Sequence, residues 1–176
     1  MTSSLKHGIL TGVISGVWVI GCFTITSWVS DLLQLHISPT NIRAYSGLLS
    51  IIILVMGIFL AMRAVKRANG FQLTYGQALK TGMIVSVITG IMVALFTLLY
   101  CTIINPGYTA YMVSEIEKEM ILAHKAPAVI SGELEKIRKE FSTPMQVGMA
   151  LIGQIVAGVI SSLILGLFVR TTNKHS

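Results

Sequence analysis

Four long stretches of the chain carry no charged residue, and each is long enough to cross a lipid bilayer as a helix. A transmembrane helix needs about 20 successive, mostly apolar residues. The stretches are 8–30, 44–62, 81–104 and 147–169, and they also lack histidine and proline. The pattern predicts an all-α integral membrane protein with four transmembrane helices in a single domain, residues 1–176.

The composition excludes most soluble and fibrous classes of protein. Hydrophobic residues make up 53% of the chain and charged residues 11%, with a mean hydropathy of +0.78. A typical soluble domain has about 25% charged residues. A chain with so few charges cannot cover a water-facing surface, which excludes disorder, collagen, a coiled coil and a disulfide scaffold. The two cysteines, Cys22 and Cys101, lie in different stretches at different depths, and we expect no disulfide between them.

The basic residues predict the orientation, because cytoplasmic connections are enriched in Lys and Arg. The two chain ends and the connection 63–80 carry basic residues more densely than the other side. We therefore expect both termini in the cytoplasm. We therefore interpret the net charge of +6 as basic residues of the inner face that bind anionic lipid headgroups. We expect no nucleic-acid partner. The inner basic residues are Lys6, Arg63, Lys66, Arg67, Lys80, Arg170 and Lys174, and the outer ones are Arg43, Lys118, Lys125, Lys136, Arg138 and Lys139.

The first and third stretches resemble each other, which suggests an internal duplication. Residues 6–17 align without gaps to residues 80–91, and residues 54–59 align in the same direction to residues 163–168. This alignment favours two tandem helical hairpins related by an axis along the membrane normal. The alternative is that membrane helices use few residue types and match by chance.

Small residues recur at every fourth position in three of the four stretches. Membrane helices associate by close packing, which small residues permit. We expect these residues to pack the helices of one bundle together, and contact between copies in a homo-oligomer is the alternative. Gln154 is the most polar side chain in a stretch, and we expect it to bond to a neighbouring helix; the alternative is that it faces a substrate. The small residues are Gly8, Gly12, Gly16, Gly82, Ser86, Gly90, Gly158, Ser162 and Gly166.

The connection 105–146 is too long for a simple turn and has helical periodicity. Apolar residues recur on one helical face before Pro127 and on another after it, among Glu, Lys and Arg. We expect two short amphipathic helices on the extracytoplasmic side. They would form either a lid or partner-binding cap, or a solvated hairpin that connects two spans.

Two helix starts have specific signals. Thr74 and Gln77 have the spacing of a capping box, which predicts that the third helix begins near Tyr75. Thr143 before Pro144 is typical of an N-cap followed by proline at the first helical position, where the fourth span's helix should begin.

The sequence contains no recognisable catalytic or metal-binding motif. Its four histidines are scattered, and it has no HExxH, GxSxG, P-loop or GxGxxG pattern. We expect neither enzymatic activity nor a cofactor. The spans contain no ionisable Asp, Glu, Lys, Arg or His, which argues against ion-coupled transport, because such sites normally need one.

Two sets of residues carry a resemblance to a known family. The basic inner connection leads into Gly70 and Phe71, then Tyr75, Gly76, Ala78 and Gly82, and the third stretch ends in Tyr100, Ile104, Asn105 and Pro106. In these features and in its four spans, the chain resembles domain of unknown function family 4199. The resemblance implies a multi-pass protein of the bacterial inner membrane, and it carries over no functional residues.

Two functions fit these observations. The first is a non-enzymatic accessory or interaction subunit, in contact with the bilayer and with a membrane protein or a second copy of itself. The alternative is a small-solute transporter or channel built from two helical hairpins.

Overall fold

The computed structural model describes residues 2–33 and 39–171, with the side chains of residues 3–22, 24 and 46–171. Six α-helices and no strand are found in this part of the chain. Four of the helices are long and apolar enough to span a membrane, which confirms the predicted fold class. The helices are α1 (Thr2–Leu33), α2 (Pro39–Ala68), α3 (Tyr75–Leu99), α4 (Tyr108–Leu122), α5 (Pro127–Glu140) and α6 (Thr143–Val169).

The apolar helices extend beyond the predicted spans into their polar flanks. Stretches 8–30, 44–62 and 147–169 lie within α1, α2 and α6. The stretch 81–104 corresponds to α3 and a further turn. The predicted connection 105–146 contains α4 and α5, the two expected short helices. Of the basic residues that predict the orientation, Lys174 and the side chain of Arg43 lie outside the described residues.

The predicted capping box is present at the start of α3. The Gln77 backbone N–H donates to Thr74 Oγ1 (3.2 Å), and the Thr74 N–H donates to Gln77 Oε1 (3.1 Å). The predicted start of α6 is wrong by one residue. The extended backbone belongs to Ser142, which is the N-cap, so Thr143 is already helical and Pro144 occupies the second position.

The third span ends in a π-helical turn, Tyr100–Ile104, that the sequence did not predict. The Asn105 backbone N–H donates to the carbonyl of Tyr100 at 2.7 Å, which closes the wider turn. Pro106 follows, and it restricts the residue before it and has no N–H, so the helix ends here as the proline predicted.

The four apolar helices form a bundle in which α3 has the most extensive contacts. Helix α3 packs closely on α6 and on α1, and α1 also packs on α2. The contacts of α2 with α3 and with α6 are much sparser. We call the end that carries the α2–α3 connection the basic end, and the end that carries α4 and α5 the capped end. The α2–α6 edge is thus loosely closed.

The bundle buries small and polar side chains and exposes aliphatic ones. Ser4, Thr11, Ser15, Ser86 and Thr89 are buried, although hydroxyl groups in soluble proteins are mostly exposed. Large apolar side chains point outward along every span. Such a surface requires an apolar solvent, which agrees with the composition. The exposed apolar residues include Leu10, Val17, Leu48, Ile52, Ile91, Leu95, Ile152, Ile160 and Leu167.

Matching residues of the two aligned halves make different contacts in the structure. Gly8 and Gly82 occupy equivalent positions of the alignment, yet Gly8 faces Ile88 of α3 and Gly82 faces Ser162 of α6. An exact two-fold relation would place Gly82 against α1. The two halves therefore share the order of their helices, since each is an antiparallel pair. They do not share the contacts that their matching residues make.

Candidate functional site

Two glycine–serine pairs hold α3 against α6. A Cβ added at Gly82 would overlap Ser162, and one added at Gly158 would overlap Ser86. Both serines are fully buried, and each donates its hydroxyl hydrogen within its own helix, Ser86 to the Gly82 carbonyl (2.7 Å) and Ser162 to the Gly158 carbonyl (2.6 Å). The hydroxyls are thus satisfied locally, and the two backbones can approach closely.

The three glycines of α1 form a similar close contact with α3. Thr89 of α3 adds a hydrogen bond across this contact, from its hydroxyl to the carbonyl of Gly8 (3.3 Å). The two helices run parallel, because successive glycines meet successive turns of α3. The side chains that occupy the glycine positions are Ile88 at Gly8, Met92 at Gly12 and Phe96 at Gly16.

The remaining small residues are also placed between helices. Gly90 approaches the carbonyl of Leu151 in α6, and Gly166 lies against the ring of Tyr75. All nine predicted packing residues therefore lie inside one bundle. Gly57 of α2 makes a further close contact that was not predicted, because a Cβ there would overlap Thr11 of α1. A lone glycine has no four-residue stripe to reveal it.

A buried polar pair links α2 to α6 within the spans. Gln154, 8% exposed, donates from Nε2 to Ser50 Oγ at 2.8 Å. The predicted interhelical bond of Gln154 is therefore present. Its Oε1 atom is buried and has no hydrogen-bond partner, and the same holds for Ser15 Oγ and Trp18 Nε1. Within the polar pair, Gln154 Oε1 is thus an unsatisfied acceptor.

A cleft at the basic end separates α2 from the end of α6. It has a volume of about 360 Å³, and Arg63, Lys66 and Arg67 line it together with aromatic side chains. Lys66 Nζ donates to the backbone carbonyl of Val169 at 2.9 Å, and the Arg63 guanidinium lies 5.6 Å from the centre of the Phe59 ring. The cleft is therefore both cationic and partly apolar.

Two hydrogen bonds between Leu73 and Thr171, which we call the clasp, connect the segments that line this cleft. The Thr171 backbone N–H donates to the Leu73 carbonyl (2.9 Å), and the Leu73 N–H donates to Thr171 Oγ1 (3.0 Å). Gly70 and Phe71 both have a φ of +64°. A bulky residue in this left-handed region is uncommon, and it leaves the Phe71 ring 70% exposed beside the cleft.

An aromatic cluster joins α4 and α5 to the capped end. Tyr100 and Tyr108 meet edge to face with ring centres 5.7 Å apart, and Phe141 lies 6.4 Å from Tyr108. All three are buried, with exposed fractions of 5% or less. The Thr109 hydroxyl donates to the Phe141 carbonyl (2.8 Å), and Gln146 Nε2 donates to that of Glu140 (2.8 Å). The hairpin formed by α4 and α5 is thus fixed to the bundle at its base, where it meets the ends of the third and fourth spans.

The tip of the hairpin exposes apolar side chains. Ile121 is 56% exposed, Leu122 68% and Val129 47%, although these residues lie outside the four spans. Two ion pairs flank them, Lys118 with Glu115 (2.6 Å) and Lys125 with Glu133 (2.9 Å). The bond to Glu115 raises the pKa of Lys118, which stays charged at neutral pH. We call Ile121, Leu122 and Val129 the tip patch.

The described residues contain no group of three or more His, Cys, Asp and Glu that could hold a metal ion. Cys22 and Cys101 are not joined by a disulfide. The groups of interest are therefore the polar pair, the basic cleft and the tip patch. Of these groups, only Gln154 of the polar pair could be identified from the sequence, because the cleft and the patch each combine residues from separate segments.

Comparison with known protein families places the chain in a family. The model of a family described as protein of unknown function, DUF4199, matches residues 6–171. The matched region contains the helices α2 to α6 and most of α1. No curated protein and no solved structure matches the chain.

Proposed function

This chain belongs to the DUF4199 family, and we propose that it is a non-enzymatic accessory subunit of the bacterial inner membrane that acts by binding another membrane protein. Both termini lie in the cytoplasm, and α4 and α5 lie outside it. The tip patch carries this proposal, because it is an apolar surface beyond the spans.

The tip patch needs a specific explanation, unlike the exposed apolar residues of the spans. Lipid covers the latter, whereas Ile121, Leu122 and Val129 project from a hairpin that also exposes charged side chains on both of its helices. Apolar patches that are surrounded by polar residues commonly mark protein interfaces. The anchored base of the hairpin holds the patch at a fixed place, which reduces the entropic cost of binding.

Purification from native membranes in several mild detergents tests this function. We expect one protein, or a second copy of the chain, to copurify in a fixed stoichiometry. The variant L122K should release it, because a charge at the centre of an apolar contact is costly to bury. K136E, which changes an exposed charge of α5, is the matched control and should retain it. A monomer in every detergent would contradict the proposal.

The buried polar pair supports the second candidate, a small-solute transporter or channel. Its supporting observation is the Gln154 Oε1 atom, which is buried between α2 and α6 without a partner. A transport path must bring water to this level. In a variant without the native cysteines, Q154C should then react with a water-soluble, membrane-impermeant thiol reagent. The lipid-facing variant V156C is the control, and protection of both would contradict transport.

A further inference from the structure

We propose that the groove between α2 and α6 binds one anionic glycerophospholipid. Its phosphate would lie on Arg63 and Arg67 in the basic cleft, and an acyl chain would follow the groove past Val55 and Leu165. This site is independent of the tip patch and lies at the opposite end of the bundle.

The membrane-buried half of the groove has the chemistry of an acyl-chain site. It is a cavity of about 280 Å³, lined by aliphatic and aromatic side chains alone. It exists because α2 and α6 pack sparsely, whereas their neighbours α1 and α3 meet closely. The lining residues are Ile51, Ile52, Val55, Met56, Phe59 and Leu165.

The apolar cavity borders the basic cleft, because Phe59 lines both. From Ile52 to Arg63 the α-helix rises about 17 Å. This length is close to half of the hydrocarbon core, which is about 30 Å thick. An acyl chain in the cavity would therefore place its headgroup at the level of Arg63 and Arg67.

The cations of the cleft have no acidic neighbour in the helices that form it. Neither α2, α3, α6 nor the connection between α2 and α3 contains Asp or Glu. Lys66 already donates to the Val169 carbonyl, where it offsets the negative end of α6. Arg63 and Arg67 remain for an anion from outside the protein. Basic pockets between membrane helices bind anionic headgroups in this way.

Two exposed aromatic side chains complete the site at the membrane surface. Phe71 is 70% exposed and Phe168 is 80% exposed, and both line the cleft. The clasp between Leu73 and Thr171 fixes the segments that carry them. A left-handed backbone at a bulky residue is a strained conformation that commonly accompanies function. Here it holds an apolar ring beside the headgroup position.

Native mass spectrometry of the purified full-length chain tests this site with two lipids of identical acyl chains. We expect dioleoyl phosphatidylglycerol to be retained about tenfold more strongly than dioleoyl phosphatidylcholine, because two basic side chains face the phosphate. R63Q/R67Q should lose this preference. K6Q/K80Q removes two charges that do not line the cleft, and it should keep the preference.

A further variant separates a lipid from a free phosphate compound. V55F fills the apolar cavity, and it should weaken retention of phosphatidylglycerol while Arg63 and Arg67 are intact. Glycerol 3-phosphate should not displace the lipid, because it lacks acyl chains. All variants are compared with the parent chain in thermal unfolding, and only folded ones are scored.

Four results would contradict the proposal. They are equal retention of the two lipids, equal losses in R63Q/R67Q and K6Q/K80Q, and displacement of the lipid by glycerol 3-phosphate. The fourth is a lipid-free dimer that V55F dissociates, because a second copy of the chain would then occupy the groove.

Discussion

At Gly158 the distance between α3 and α6 depends on the absence of a side chain. Its neighbour Ser86 is fully buried and bonded to its own helix, so it has little freedom to move. The four-residue spacing predicted that Gly158 and Ser86 would face other helices. It could not predict that they face each other, because periodicity defines a helical face and not its partner.

The variant G158A tests this contact. The added methyl group would overlap Ser86, and we expect the free energy of unfolding to fall by about 1–3 kcal/mol. G153A lies on the same helix where a Cβ meets nothing within 4 Å, and it should leave stability unchanged or raise it by less than about 1 kcal/mol. Unfolding by dodecyl sulfate in mixed micelles measures both. Equal effects of the two variants would show that α3 and α6 do not pack this closely.

The helices themselves could be predicted where the signal is local. An uncharged apolar stretch is sufficient for a span, and the capping box at Thr74 gave the start of α3. The π-helical turn Tyr100–Ile104 could not be predicted, since Asn105 and Pro106 indicate an end and not its geometry. The contact between Tyr100 and Tyr108 could not be predicted either, because it depends on the return of Phe141 after α5.

The capping box makes a prediction for α3 as an element. T74A removes the acceptor for the Gln77 backbone N–H, and we expect a loss of about 1 kcal/mol in the free energy of unfolding. T97A is the control, because Thr97 donates only to the Val93 carbonyl within the same helix and adds little stability. The same mixed-micelle titration compares them, and a smaller effect of T74A than of T97A would contradict the assigned helix start.

At the scale of the whole molecule, charge is separated along the bundle. Basic residues flank the α2–α3 connection at the end of α2 and the start of α3, and six of the seven acidic residues lie in α4 and α5. The sequence predicted this separation from the spans alone. It did not predict the basic cleft, because Arg63 and Phe168 are brought together only when α6 packs beside α2.

Orientation is tested by labelling cysteines in intact cells. In a C22S/C101S background, E133C of α5 should react with an impermeant thiol reagent. Q72C, which is exposed in the α2–α3 connection, should react only after the cells are opened. The expectation follows from the denser basic residues near the two chain ends and the α2–α3 connection, because cytoplasmic segments are enriched in Lys and Arg. The reverse pattern would place the termini outside.

Association through the tip patch is the basis of the proposed function. The most direct measurement is photocrosslinking in living cells with benzoylphenylalanine at position 122. We expect one discrete crosslinked product at this position and none at the exposed position 136 of α5. No protein product at position 122, or the same products at both positions, would contradict the account.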